Sequence, residues 1–315
     1  VDILANRILL VIATTLVAID AAWAAFGHFD IDVAGYLALL VLSAALFGFG
    51  YFYARIRPDA NLAAMLFGAS FLCTFSAAAD FLNYLLLTVA GHPIDGTLAR
   101  VDRALGFHWP RIIAWAAAHP MLNTALHAIY ETSLPQVAAL IVCLGLFRQP
   151  AKIYGFCIAL AIGAGIAIGF WTLFPSFGAF AVYHLPEQVA LKTNAALDGT
   201  YAHALNALLA HGPERIGPRE VKGLIGFPSF HTVMALLTIW YARNLPGLRW
   251  AALVLNVLVI ASTPIHGGHH LVDLFGGAAT ACVAIWLSAR ILATARAGRP
   301  SPFAQLGQTP AFPSV

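Results

Sequence analysis

Gly226-Phe227-Pro228-Ser229-Phe230-His231-Thr232 and Ser262-Thr263-Pro264-Ile265-His266-Gly267-Gly268-His269-His270-Leu271-Val272-Asp273 are the two polar blocks around which this chain is organised. One apolar helical hairpin separates them, so both are expected at the same side of a membrane. In each, a proline or glycine break precedes polar residues that open an apolar helix. The amides at a helix N-terminus lack intrahelical acceptors and have the positive end of the helix dipole behind them, which makes an anion site. Pro228 at a first helical position gives up no hydrogen bond. The amides of Ser229, Phe230 and His231 are then expected to face an outer recess. A second helix starting near His269 adds another positive end at the same depth. Such a pair of ends suits a dianionic phosphate ester.

The side chains in the blocks fit that ligand. His269 and Asp273 are four residues apart and share one helix face. The carboxylate can accept the imidazole Nδ1–H, leaving the Nε2 lone pair to act as a nucleophile. His231, delivered from the facing helix, is then placed to protonate a leaving alkoxide. A metal reading competes, because His266, His269, His270 and Asp273 are all of ligand type. It is set aside: His266 precedes a Gly-Gly break, His269 and His270 point to different helix faces, and no second His-rich cluster supplies further ligands.

Composition assigns the class. Of 315 residues 60% are hydrophobic and only 10% charged, with a mean hydropathy of +0.80. A soluble domain carries about 25% charged residues, so this chain cannot cover a water-facing surface and reads as an all-α integral membrane protein. The net charge of +3 is too small and too scattered for nucleic acid. Cys73, Cys143, Cys157 and Cys282 all lie in apolar runs and read as packing thiols. The apolar run after Arg7 is long enough to span and is not read as a signal peptide.

About eight transmembrane spans are expected, over 8–27, 33–54, 62–90, 123–147, 154–180, 228–243, 250–265 and 270–293. Spanning takes roughly 20 apolar residues, so the sixth and seventh are short and should end below the outer surface, around a recess. Arg7, Arg55, Arg57, Arg148, Lys152, Arg243, Arg249, Arg290, Arg296 and Arg299 fall on one side, while the opposite short loops hold Asp30 and Asp32 or no charge. The positive-inside rule makes the first side cytoplasmic. Both termini are then cytoplasmic and both blocks face outward, to a periplasm or lumen, as in a bacterial inner membrane. Asp20, Asp80 and Asn83 lie at membrane depth, where polar groups either bond to a neighbouring helix or serve function.

Two outer segments are longer. In 97–109, Leu98, Val101 and Leu105 fall at helical spacing with Arg100 and Arg103 on another face, which predicts an interfacial helix. The segment 181–225 is the longest polar stretch, carries Lys192, Arg215, Arg219 and Lys222, and leads into the first block. Two helices (1–60), a helical catalytic core (61–295) and a flexible tail (296–315) are expected.

The two blocks resemble the second and third signature motifs of the type-2 phosphatidic acid phosphatase (PAP2) superfamily of membrane phosphatases and phosphotransferases. The second motif, Pro-Ser-Gly-His, stands here as Pro228-Ser229-Phe230-His231. In the third, Ser262, His269 and Asp273 keep the spacing, with Thr263 where the family has arginine. The stretches Asp102–Phe107 and Pro175–Phe180 look similar to the branch that includes inositol phosphorylceramide synthases. The likeness covers most of 95–285. It implies a six-helix catalytic core, a phosphohistidine formed on His269, Asp273 as its orienting partner and His231 as general acid. Ser229, Phe230 and neighbouring amides would hold phosphate oxygens. No metal or other cofactor is implied. The family's first motif, a lysine followed seven residues later by Arg-Pro, is absent, so Lys222, Arg219 or Arg215 is expected to supply the cationic clamp. Implied partners are the bilayer, a lipid phosphate or phospholipid substrate, and water or a polyol such as inositol as acceptor. A non-catalytic lipid transporter working through Asp20 and Asp80 is the rival from another class.

Overall fold

The computed structural model describes residues 2–27, 29–183 and 223–297, with 185, 189, 193, 208, 212 and 215–219 between them. Lys192, Lys222 and the tail from 298 lie outside the described residues. The described chain is all-helical: α1 (Ile3–Phe26), α2 (Val33–Arg55), α3 (Ala60–Leu86), α4 (Asp95–Ala104), α5 (Trp109–Ala118), α6 (Pro120–Glu131), α7 (Ser133–Leu146), α8 (Pro150–Leu173), α9 (Phe230–Ala242), α10 (Leu248–His266) and α11 (Leu271–Ala297). The carboxylates of Asp2, Asp32 and Asp59 accept the first free amides of α1, α2 and α3, which is why those helices start where they do.

Six helices among the described residues are long and apolar enough to cross a membrane: α1, α2, α3, α8, α10 and α11. The expected span 123–147 is broken into α6 and α7, bent by 48°. Its sequence explains the break. The hydroxyls of Thr132 and Ser133 donate to the Ile129 and Tyr130 carbonyls, in competition with the helix ladder. Pro135 in turn has no N–H to return to Glu131. The sixth expected span is short, as α9 has 13 residues. The seventh is not: α10 has 19 residues and takes Pro264 into its last turn. Pro264 therefore does not break the chain; the break comes at Gly267 and at Gly268, whose φ is +62°. The interfacial segment is helical as α4, but Leu98 is buried beside Asp95, Ala99 and Asp102 while Val101 and Leu105 are exposed. Two acids with partners inside turned the helix from the face its leucines alone suggest. A second short helix there, α5, was not expected.

α8 runs through the centre, and it is buried on every side from Ile153 to Ala161. α3, α7, α9 and α11 surround it, with Val233, Leu237 and Ala284 against its face. Ala5, Leu9 and Ala13 of α1 join this same core, so the first helix is packed on the rest rather than appended to it. Lipid is as apolar as these side chains, so close packing and interhelical hydrogen bonds hold such helices together. Ser43 of α2 and Ser70 of α3 exchange bonds with each other's carbonyls at 2.9 and 2.8 Å, each worth about 0.6 kcal/mol in a membrane.

Candidate active site

α9, α10 and α11 bring the two blocks together at one end of the bundle. The contact is made first by backbone. The Ser229 amide donates to the Asp273 carbonyl at 3.0 Å, and the Ser229 side chain caps α9 by accepting from the Thr232 amide. α9 thus begins at Phe230, later than Pro228. The Ser229 amide is not available to a ligand, whereas those of Phe230 and His231 donate to no acceptor among the described residues. Glycines permit this approach: a Cβ on Gly277 would lie 2.5 Å from the Ser229 carbonyl oxygen.

On that frame the expected trio meets. His269 Nδ1–H donates to Asp273 Oδ2 at 3.2 Å, with His269 4% exposed and Asp273 fully buried. The His231 ring faces His269 edge-on, centroids 6.2 Å apart. Burial pushes the His269 imidazole down to about 4, opposed by the backbone of Gly226. At neutral pH the ring therefore keeps its lone pair. Tyr130 of α6, which sequence reading did not single out, stacks on His231 at 4.5 Å and places its hydroxyl 3.4 Å from His231 Nδ1.

The neighbouring histidine belongs to a different cluster. His270 is fully buried, with Nδ1 3.2 Å from Asp102 Oδ2 and Nε2 3.8 Å from Asp95 Oδ1. Asp102, reaching over from α4, also accepts the Leu271 and Val272 amides at 3.0 and 3.1 Å. The N-terminus of α11 is thus already occupied by a carboxylate. The expectation of two positive helix ends aimed at phosphate holds at most for α9. Asp95 Oδ1 accepts from Ser176 Oγ and from the amides of Phe177 and Gly178 at 2.8–3.0 Å. Burial pushes the Asp95 carboxyl up, while these bonds and the His270 charge pull it back. Asp95 and Asp102 are seven apart, two turns on one helix face, a spacing that was legible in the sequence.

The expected clamp residues lie elsewhere or outside the described residues. Arg215 is exposed and pairs with Asp32 at 3.4 Å. Arg219 is exposed next to Pro218, which packs against Gly35 of α2. Lys222 is outside the described residues. Thr263, in the arginine position, is buried with its hydroxyl turned back to the Val259 carbonyl at 2.8 Å.

Fold and site define a membrane-embedded helical protein with a buried histidine–aspartate pair facing a second histidine. A sequence profile of the PAP2 superfamily matches residues 96–287, most of the chain from α4 to α11. The chain belongs to the PAP2 superfamily, and that membership points to phosphatase-type activity. Neither a curated protein nor a solved structure matches it.

Proposed function

We propose that this chain is a lipid phosphate phosphatase or phosphotransferase that works at the outer leaflet through a phosphohistidine on His269. The observation that carries this reading is the buried His269–Asp273 pair at 3.2 Å with His231 across from it. Asp273 holds the Nδ1 proton and steadies the charge that grows on the ring as Nε2 attacks phosphorus. His231 gives a proton to the departing alkoxide, and Tyr130 orients it through Nδ1. Water or an alcohol then attacks the phosphohistidine, with His231 taking back a proton. The Phe230 and His231 amides at the α9 terminus are the donors best placed for phosphate oxygens. Cytoplasmic termini and an outward site follow from the distribution of Arg and Lys along the sequence. Inositol phosphorylceramide synthase-like transfer is the narrower form of the proposal. It is supported by the stretches Asp102–Phe107 and Pro175–Phe180, which supply the cluster around His270.

The test is incubation of the purified protein with a panel of lipid phosphates, with and without inositol, followed by product analysis and acid trapping of phosphoenzyme. Release of phosphate or a headgroup-exchanged lipid, with an acid-labile phosphoprotein, is expected. Lipid movement across vesicles with no covalent phosphate would favour the transporter instead.

A further inference from the structure

α1 and α2 follow each other in the chain, yet they scarcely touch. Both lie on α3, and a cleft opens between them. Two adjoining cavities of about 520 and 230 Å³ fill it, with Val17, Ala21, Leu40 and Thr74 as shared walls. Leu10, Leu37 and Leu40 on its rim are exposed, so in a bilayer the cleft is open to lipid. These three helices precede the stretch that the family profile matches. The lining is mostly apolar, and its hydroxyls are matched from within: Ser43, Ser70 and Thr74 bond to one another, and Thr14 donates to the Leu10 carbonyl. Asp20 is the exception. It is 7% exposed, it lines the smaller cavity, and its Oδ1 has no hydrogen-bond partner among the described residues.

Buried polar atoms in folded proteins are hydrogen-bonded, and hydrocarbon holds no water to do it. Whatever fills the cleft must therefore be apolar along most of its length and carry a polar hydrogen beside Asp20. Ester carbonyls only accept and leave Oδ1 unmatched; a hydroxyl group donates to it. No lysine or arginine lines either cavity, so a phosphate headgroup finds no partner there. Toward the start of α1 the larger cavity reaches Asn6, about 21 Å from Asp20 at a rise of about 1.5 Å per residue. A helix of that length is about 10 Å across and displaces well over the volume of both cavities, whereas one acyl chain fits. We infer that the cleft binds one neutral lipid with a free hydroxyl group, its chain along the larger cavity and its O–H donated to Asp20 Oδ1. This lipid is a resident that wedges α1 and α2 against α3. It is neither the phosphate-bearing substrate nor a party to the chemistry at His269.

The test uses the detergent-purified full chain with two probes, oleyl alcohol and its methyl ether, which keeps the chain and loses the O–H. Binding is read by native mass spectrometry and by the rise in Tm. The alcohol should bind once per chain and raise Tm. The ether should bind about tenfold more weakly, the worth of one hydrogen bond. Asp20→Ala should erase that preference, and Asp20→Asn, whose amide oxygen still accepts, should keep part of it. Leu40→Trp, at the exposed rim shared by both cavities, should exclude both probes from a folded protein. If Asp20→Ala does not fold, the two other variants decide. Equal binding of alcohol and ether to the wild type, a preference that survives in Asp20→Ala, or uptake untouched by Leu40→Trp would each overturn the site. A dimer that Leu40→Trp dissociates, with no probe bound to the wild type, would assign the cleft to a second copy instead. None of these readouts involves turnover, so their failure leaves phosphoryl transfer through His269 standing.

Discussion

His269 and His270 are neighbours in sequence, both buried, and both bound through Nδ1 to a carboxylate at 3.2 Å. Yet His269, just before α11, takes its partner from the first turn of α11, four residues on, and turns toward His231. His270 takes its partners from α4, and ties that helix and the turn at Ser176–Gly178 to the start of α11. The partner's origin separates the two roles. A carboxylate four residues on in the same stretch of chain moves with the imidazole and can steady a charge that comes and goes. Carboxylates from elsewhere in the chain fix where the helix begins.

The sharpest way to break this comparison is to remove each ring. His269→Ala should abolish turnover and any acid-labile phosphoenzyme, while His270→Asn should still form phosphoenzyme in whatever fraction folds. Phosphoenzyme in the first variant and none in the folded second would exchange the roles.

Next in size are the carboxylates. Asp273→Asn can present an N–H to Nδ1 and so shift the ring proton to Nε2, where it blocks attack. A comparable amide swap behind a catalytic histidine costs about 10⁴-fold in turnover, and similar loss is expected here with vanadate affinity largely kept. His231→Ala should lose about 10²–10⁴-fold, most with poor leaving groups. A nitrophenyl ester set against an alkyl phosphate measures this.

Asp102→Ala should act on stability first. It leaves His270 and the Leu271 and Val272 amides without their partner, and each buried group left unsatisfied costs about 1–3 kcal/mol. Unfolding in detergent, read beside specific activity per folded molecule, would show stability falling further than catalysis. The reverse order would make Asp102 part of the chemistry.

The smallest effect is in the pH profile. Burial holds the His269 pKa at about 4, so the proposed nucleophile keeps its lone pair above that pH and loses it as pH falls through it. The acid limb of kcat/KM is expected there, not at the ordinary imidazole value of about 6.5. A limb at the ordinary value would show that Asp273 outweighs burial.

Most of the trio was readable because its geometry is local or set by helix ends. His269 and Asp273 meet as their spacing suggests, although His269 lies just before α11 begins at Leu271 and not on a shared helix face. His231 follows from a capping serine that opens an apolar run. Contacts between distant segments were not readable in that way. Nothing near His270 in the sequence announces Asp102, which lies 168 residues away, or that it would fill the positive end that seemed free for phosphate. Tyr130 and His127 lay inside a presumed uniform span, and only the bend at Thr132 sets α6 apart as a wall of the site. The break in the fourth expected span was hidden for a related reason, because hydropathy registers apolar length and is blind to where hydroxyls and Pro135 interrupt a helix.

The backbone bond from Ser229 to Asp273, with the glycines at 276 and 277 beneath Phe227 and Ser229, has a bearing on how freely this protein can be altered. The spacing between His231 and His269 is set by main chain against main chain, so it does not depend on the side chains that meet the acyl tails. Val254, Val257, Phe275, Val283 and Trp286 are all exposed. They form an outer coat that can be rewritten to suit a thicker bilayer, another lipid or a chosen detergent. A single methyl group at Gly277 would push against the Ser229 carbonyl and disturb that spacing before any of those changes did.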